Sequence, residues 1–134
     1  MKRHLGMIHR SVGITGFVFF CVPGLLMDHW KLDDMPVDSA VRLLYRSRHI
    51  YLLFGSLVNV AVGLRFILPD SGPGSRMGVV ASIMMLAAPV IFAFGFFLEP
   101  TKTGHSTFLT IFGVFATYLG LLFYCLSSWR LRSA

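Results

Sequence analysis

Two groups of polar side chains in this chain could bind a ligand. The first combines two imidazoles with one carboxylate: His49, Glu99 and His105. The interpretation that we favour is an ordinary set of interfacial residues that meet water, because their spacing matches no metal-ligand motif. The alternative is a transition-metal or haem site, since zinc, iron and copper all accept such ligands.

The second group is mostly basic and lies on one predicted helix: Arg42, Arg46, Arg48 and Tyr51. Arg42 and Arg46 share a helical face with His49, because the spacing is four and then three residues. Pairing with nearby loop acids, such as Asp38 with Arg42, is the interpretation that we favour. The alternative is that this group holds the anionic head of a lipid or quinone, because guanidinium groups pair well with phosphates and carboxylates.

The five histidines are all expected near the ends of membrane spans. His4 and His9 fall at the cytoplasmic edge, and His29, His49 and His105 fall at the external edge. A haem buried in the membrane needs two histidines from different helices at the same depth. Only the external set offers such partners on separate helices.

Four long apolar stretches must position these groups. Hydrophobic residues make up 55% of the 134 residues, charged residues 13%, and the mean hydropathy is +0.71. A small soluble domain cannot bury so large an apolar share, whereas about 20 apolar residues in a helix cross a bilayer. We therefore predict an all-α membrane protein, an antiparallel four-helix bundle that forms a single domain over residues 1–134. The expected spans are 8–27, 43–68, 77–98 and 106–129, with an external loop at 28–38.

The distribution of charge predicts the orientation. With four spans both termini share one side, and that side has seven basic residues against the single acid Asp70. The other side has five basic and five acidic residues, so the whole net charge of +6 falls on the terminal side. The positive-inside rule places both termini in the cytoplasm, and the short, basic chain indicates a bacterial inner membrane. The pI near 9.9 then reflects topology and anionic lipid rather than nucleic acid.

Small residues predict where the helices touch. In lipid they let helices approach closely, and a neighbouring helix satisfies a buried amide. Pro89 in the third span cannot donate a backbone hydrogen bond to Met85, which predicts a kink. The expected packing residues are Gly55, Asn59 and Gly63 in the second span, and Gly113, Thr117 and Gly120 in the fourth.

No residue pattern specifies a reaction, so enzymatic activity stays open. The sequence has no CxxC pair, no glycine-rich phosphate loop and no evident nucleophile beside a base. The leading hypothesis is a non-catalytic accessory or anchor subunit of a membrane complex. The alternatives are a redox, metal- or haem-binding bundle that uses the first group, and a small membrane enzyme or carrier for an anionic amphiphile that uses the second. The expected partners are the lipid bilayer and another membrane protein or a second copy of this chain, with no nucleic acid.

Overall fold

The computed structural model describes residues 2–26, 40–67, 73–99 and 107–129. In this part of the chain there are four α-helices: α1 (Lys2–Leu26), α2 (Ala40–Leu64), α3 (Pro73–Leu98) and α4 (Phe108–Trp129). The expected external loop at 28–38 lies outside the described residues, as do His29 and His105.

Each of these helices is long and apolar enough to cross a membrane. The candidate spans are His4–Leu25, Arg42–Leu64, Gly74–Leu98 and Phe108–Trp129. Their outer surfaces carry large exposed apolar side chains, which suit hydrocarbon rather than water: Leu43, Ile83, Phe94 and Phe115 are examples. The prediction of an all-α integral membrane protein is confirmed.

The helices associate as two pairs. α1 packs along α2, α3 packs along α4, and α2 and α3 join the two pairs, while α1 and α4 share no contact among the described residues. Gly6, near the start of α1, approaches Phe66 just beyond the end of α2, and Gly24, near the end of α1, approaches His49. We refer to the two ends of the bundle as the His9 end and the Glu99 end, after the buried residue at each.

Phe92 of α3 occupies the centre of the core and has a glycine on either side. Its side chain is 1% exposed. A Cβ atom added at Gly113 of α4 would lie 2.6 Å from this ring, and one added at Gly55 of α2 would lie 3.0 Å from it. Any larger residue at either position would therefore push against the ring, which overpacks the core.

The other candidate packing residues also face neighbouring atoms closely. A Cβ atom added at Gly63 would lie 2.8 Å from the carbonyl oxygen of Gly6, and one added at Gly120 would lie 2.8 Å from Met85 Cγ. Thr117 is buried, and its hydroxyl donates to the carbonyl of its own helix one turn earlier. The absence of a side chain at Gly63 lets the backbones of α1 and α2 approach each other.

Candidate functional site

Glu99 directly follows α3, and its carboxylate binds the N-terminus of α4. Its Oε1 accepts the backbone N–H groups of Leu109 at 2.6 Å and Thr110 at 3.2 Å. The carbonyl of Thr107 accepts the N–H of Ile111, so α4 begins here and its first N–H groups have no helical acceptor. Glu99 therefore caps α4 from outside that helix, where the helix dipole also favours a negative charge.

Arg48 of α2 pairs with this carboxylate in the protein interior. Its Nε donates to Glu99 Oε2 at 2.9 Å and to Thr110 Oγ1 at 3.2 Å. The Thr110 hydroxyl also donates to Glu99 Oε2. Arg48 is 2% exposed and Glu99 is 4% exposed, so water screens the pair little. The ion pair joins α2 to the α3/α4 pair at the Glu99 end.

The charge state of Glu99 follows from these contacts. Burial by itself would raise the pKa of Glu99, because it disfavours the charged carboxylate. Hydrogen bonds from the Thr110 and Arg48 side chains, together with those from two backbone N–H groups, outweigh burial and hold the pKa below its ordinary value. The fold therefore stabilises the ionised form of Glu99.

We expect acid to destabilise the bundle through Glu99. A lowered pKa contributes stability that is complete above the ordinary glutamate pKa of about 4.3 and is lost as the pH falls through the lower value in the folded protein. Thermal unfolding in detergent, measured from neutral pH to about pH 3, checks this expectation. Glu99→Gln should flatten the acid limb of the stability curve, whereas equal slopes for both proteins would contradict the assignment.

His49 faces α1 rather than Glu99. Its Nε2 lies 2.6 Å from the carbonyl oxygen of Phe20, and its ring stacks on the Phe20 ring with centroids 4.0 Å apart. A carbonyl oxygen only accepts hydrogen bonds, so Nε2 carries the proton and Nδ1 is the remaining acceptor. Among the described residues, no three histidine, cysteine or acidic side chains approach one another closely enough for a metal. Because His105 is not described, the metal or haem site stays a prediction.

The predicted basic group is spread over different environments. Arg48 is buried against Glu99, Arg42 is half-buried, and Arg46 and Tyr51 are exposed. The Tyr51 ring stacks on Phe92, with centroids 5.8 Å apart. Arg48 thus binds a carboxylate of its own chain, and a shared anionic head group for all four residues stays a prediction.

A second polar cluster lies at the His9 end, around Asn59. The Nδ2 of Asn59 donates to the carbonyls of Gly55 at 2.9 Å and Met85 at 2.7 Å. Its Oδ1 lies 2.7 Å from His9 Nδ1. An amide nitrogen that donates to two carbonyls leaves the oxygen as the acceptor, so His9 Nδ1 carries the proton in this bond. The cluster connects α1, α2 and α3.

His9, which the sequence places at the cytoplasmic edge, is buried in the bundle and falls within the candidate span His4–Leu25. It is 0% exposed and bonds to Asn59 in the interior. The charge of Arg10, next to His9, suggests that the membrane span ends here. Yet Arg10 Nε donates to the carbonyl of Gly63 at 2.8 Å, and the candidate span continues to His4. The long side chain of Arg10 satisfies its charged head while the helix continues.

Asn59 also replaces a backbone hydrogen bond that Pro89 removes. Pro89 lies inside α3 and has no N–H, so the carbonyl of Met85, one turn earlier, loses its helical donor. The Asn59 amide supplies a donor to that oxygen. Proline is tolerated in a membrane helix when a neighbouring helix satisfies the freed backbone group in this way.

An apolar groove of about 500 Å³ lies between α1 and α3. Leu52 of α2 lines it, together with Gly16 and Phe19 of α1 and Pro89 and Phe97 of α3. No charged side chain contributes to its lining. The groove can therefore accommodate a hydrocarbon chain or an apolar side chain.

Two further contacts carry little signal in the sequence. Thr110 and Tyr124 lie in a mostly apolar helix, and the sequence gives no reason to separate them from its packing residues. The Tyr124 hydroxyl accepts the N–H of Ile67 and donates to the carbonyl of Arg65, both at 2.9 Å, and so binds the chain that leaves α2. The position of Thr110 in the first turn of α4 is the one usable clue that its hydroxyl bonds to the group that caps the helix.

The buried polar side chains that bond across helices thus form two clusters, one around Arg48 and Glu99 and one around Asn59 and His9. Each cluster joins helices from both pairs. Comparison with protein-family models, with curated proteins and with solved structures finds no match to this chain.

Proposed function

We propose that this chain is a non-catalytic accessory or anchor subunit of a membrane complex. In this proposal it is an antiparallel bundle with both termini on the cytoplasmic side of a bacterial inner membrane, as the excess of basic residues on that side favours. The supporting observation is how the described polar groups are used. Arg48, Glu99 and Asn59 bond across helices within the fold, and none of them lines the groove.

The pair that most resembles a nucleophile and its base also supports a structural role. Asn59 orients the His9 ring, and Ser82 of α3 is a buried hydroxyl. Yet His9 Nε2 and Ser82 Oγ each lack a hydrogen-bond partner, so they are not bonded to each other. Both residues are 0% exposed, which leaves a substrate no access to them in the described structure.

The uneven covering of the helices favours contact with another membrane component. In the most apolar stretch of α1, 22% of the residues are buried inside the bundle, whereas 44% are buried in that of α3. Most of α1, including the exposed side chains of Ile14 and Val18, must therefore be covered by the bilayer or by a partner protein. In lipid, such a face associates through close packing with another helix rather than through the hydrophobic effect.

A second candidate function, binding of an anionic amphiphile, is favoured by the groove between α1 and α3. Its apolar lining suits an acyl or isoprenoid chain, and Arg46 is an exposed cation on α2 near the Glu99 end. In this case the groove would hold the tail, and the head group would lie at the membrane surface.

One preparation distinguishes the two candidates. The chain is extracted from its native membrane with a lipid-retaining polymer and weighed intact by native mass spectrometry. An accessory subunit is expected in a fixed ratio with another integral membrane protein, whose abundance falls when this chain is removed and recovers on its re-expression. A monomer or homo-oligomer that carries a stoichiometric amphiphile supports the second candidate instead. A lipid-free monomer contradicts both.

A further inference from the structure

Two buried polar atoms near the His9 end have no hydrogen-bond partner: Nε2 of His9 in α1 and Oγ of Ser82 in α3. Both residues are 0% exposed. An unsatisfied buried polar atom destabilises the folded state, and native proteins contain few of them. Two such atoms on neighbouring helices therefore point to a ligand that bonds to both.

Contacts elsewhere establish how α1 and α3 lie relative to each other. A Cβ atom at Gly16 would lie 3.6 Å from the Cβ of Pro89. Further along both helices, the rings of Phe19 and Phe97 pack edge to face, with centroids 5.9 Å apart. The two helices therefore run side by side in the same direction through this region.

Counting back equally along both helices from the Gly16–Pro89 contact brings His9 and Ser82 to about the same level. Each lies seven residues before the contact of Gly16 with Pro89, which is about two helical turns along the same face. Asn59 links the two sides, because it bonds to His9 and to the Met85 carbonyl of α3, about one turn beyond Ser82. The two unpartnered atoms thus belong to one small polar region between α1, α2 and α3.

The chemistry of these atoms defines the ligand. His9 Nδ1 donates to Asn59, so the neutral ring presents a lone pair at Nε2 and requires a hydrogen-bond donor there. The Ser82 hydroxyl can donate or accept. We propose that one water molecule lies between His9 and Ser82, donating to Nε2 and bonding to Oγ. Buried waters occupy this kind of site, where they satisfy polar groups that the protein leaves unpaired.

The site goes beyond the accessory role, because it makes His9 a hydrated, protonatable group inside an apolar bundle. Ionisable side chains within membrane spans are rare, and they commonly mark functional sites. The water also adds a polar link between the two helix pairs, next to the bond between Asn59 and Met85.

Solid-state NMR of the full chain in phosphatidylcholine vesicles tests the proposal. Histidine is labelled with nitrogen-15, and the His9 signals are assigned by their loss in His9→Gln. In the unaltered chain we expect Nδ1 to be protonated, Nε2 to be unprotonated but hydrogen-bonded, and magnetisation to pass from water to Nε2. Ser82→Ala should abolish that transfer and move the Nε2 shift toward the value for an unbonded nitrogen.

Ser127→Ala is the matched control, because Ser127 is a buried serine of α4 whose hydroxyl bonds to its own helix. It should leave the His9 signals unchanged. Absence of water transfer in the unaltered chain overturns the proposal, whether or not Ser82→Ala folds. A shift of Nε2 that depends on Ser82 but involves no water indicates a direct bond instead, and a protonated Nε2 removes the acceptor altogether.

Discussion

Arg48→Met is expected to lower the free energy of unfolding by about 3–5 kcal/mol, because it leaves the Glu99 carboxylate buried without its counter-ion. The two residues are 2% and 4% exposed, so water cannot take the place of the guanidinium without opening the structure. Reversible unfolding in mixed detergent micelles measures the effect. Arg46→Met, on the same helix but exposed, is the matched control and should change stability by less than about 1 kcal/mol.

A double variant separates loss of the pair from loss of the fold. In Arg48→Met/Glu99→Gln the buried charge is gone, and the amide oxygen of glutamine can still accept the N–H groups of α4. The double variant should therefore be more stable than Arg48→Met alone, since an uncharged replacement of both partners costs far less than an unpaired charge. Destabilisation equal to the sum of the two single changes would contradict a direct interaction.

Asn59→Leu is expected to cost about 2–3 kcal/mol, because it leaves the N–H of His9 and the carbonyl of Met85 without partners. Hydrogen bonds between membrane helices average about 0.6 kcal/mol and reach about 1.7 kcal/mol, so losing several at once accounts for this size. The same unfolding measurement applies.

Pro89→Ala should reduce the cost of Asn59→Leu by about 1 kcal/mol, because alanine restores the backbone N–H that bonds to the Met85 carbonyl. Pro23→Ala removes the other proline inside a described helix, in α1, and should leave the cost unchanged. An identical cost of Asn59→Leu in all three backgrounds would show that the amide does not compensate for Pro89.

The sequence predicts the apolar helices and the residues at which they approach. Length and hydropathy are sufficient for the spans, because each must cover the hydrocarbon layer on its own. The spacing of Gly55, Asn59 and Gly63 marks the inward face of α2, and Pro89 marks a missing hydrogen bond. The sequence does not predict that the Asn59 amide donates to the Met85 carbonyl, because this bond depends on how α2 and α3 are aligned.

The pairing of Arg48 with Glu99 shows the limit of reasoning from depth alone. Topology places His49, Arg48 and Glu99 at one level, but it does not give the direction in which each side chain leaves its helix. Adjacent residues on a helix point about 100° apart, so His49 reaches α1 while Arg48 reaches the other pair. Reasoning from depth therefore groups Glu99 with His49, whereas the side chain that Glu99 contacts is Arg48.

The ion pair has a consequence for biogenesis. A ribosome releases α2 before α3, and Glu99 follows Arg48 by 51 residues. During that interval the guanidinium has no carboxylate to bind, and burying it in lipid is costly. α2 therefore reaches its final contact with the α3/α4 pair only after Glu99 has been synthesised, and until then water or lipid phosphate must solvate the guanidinium.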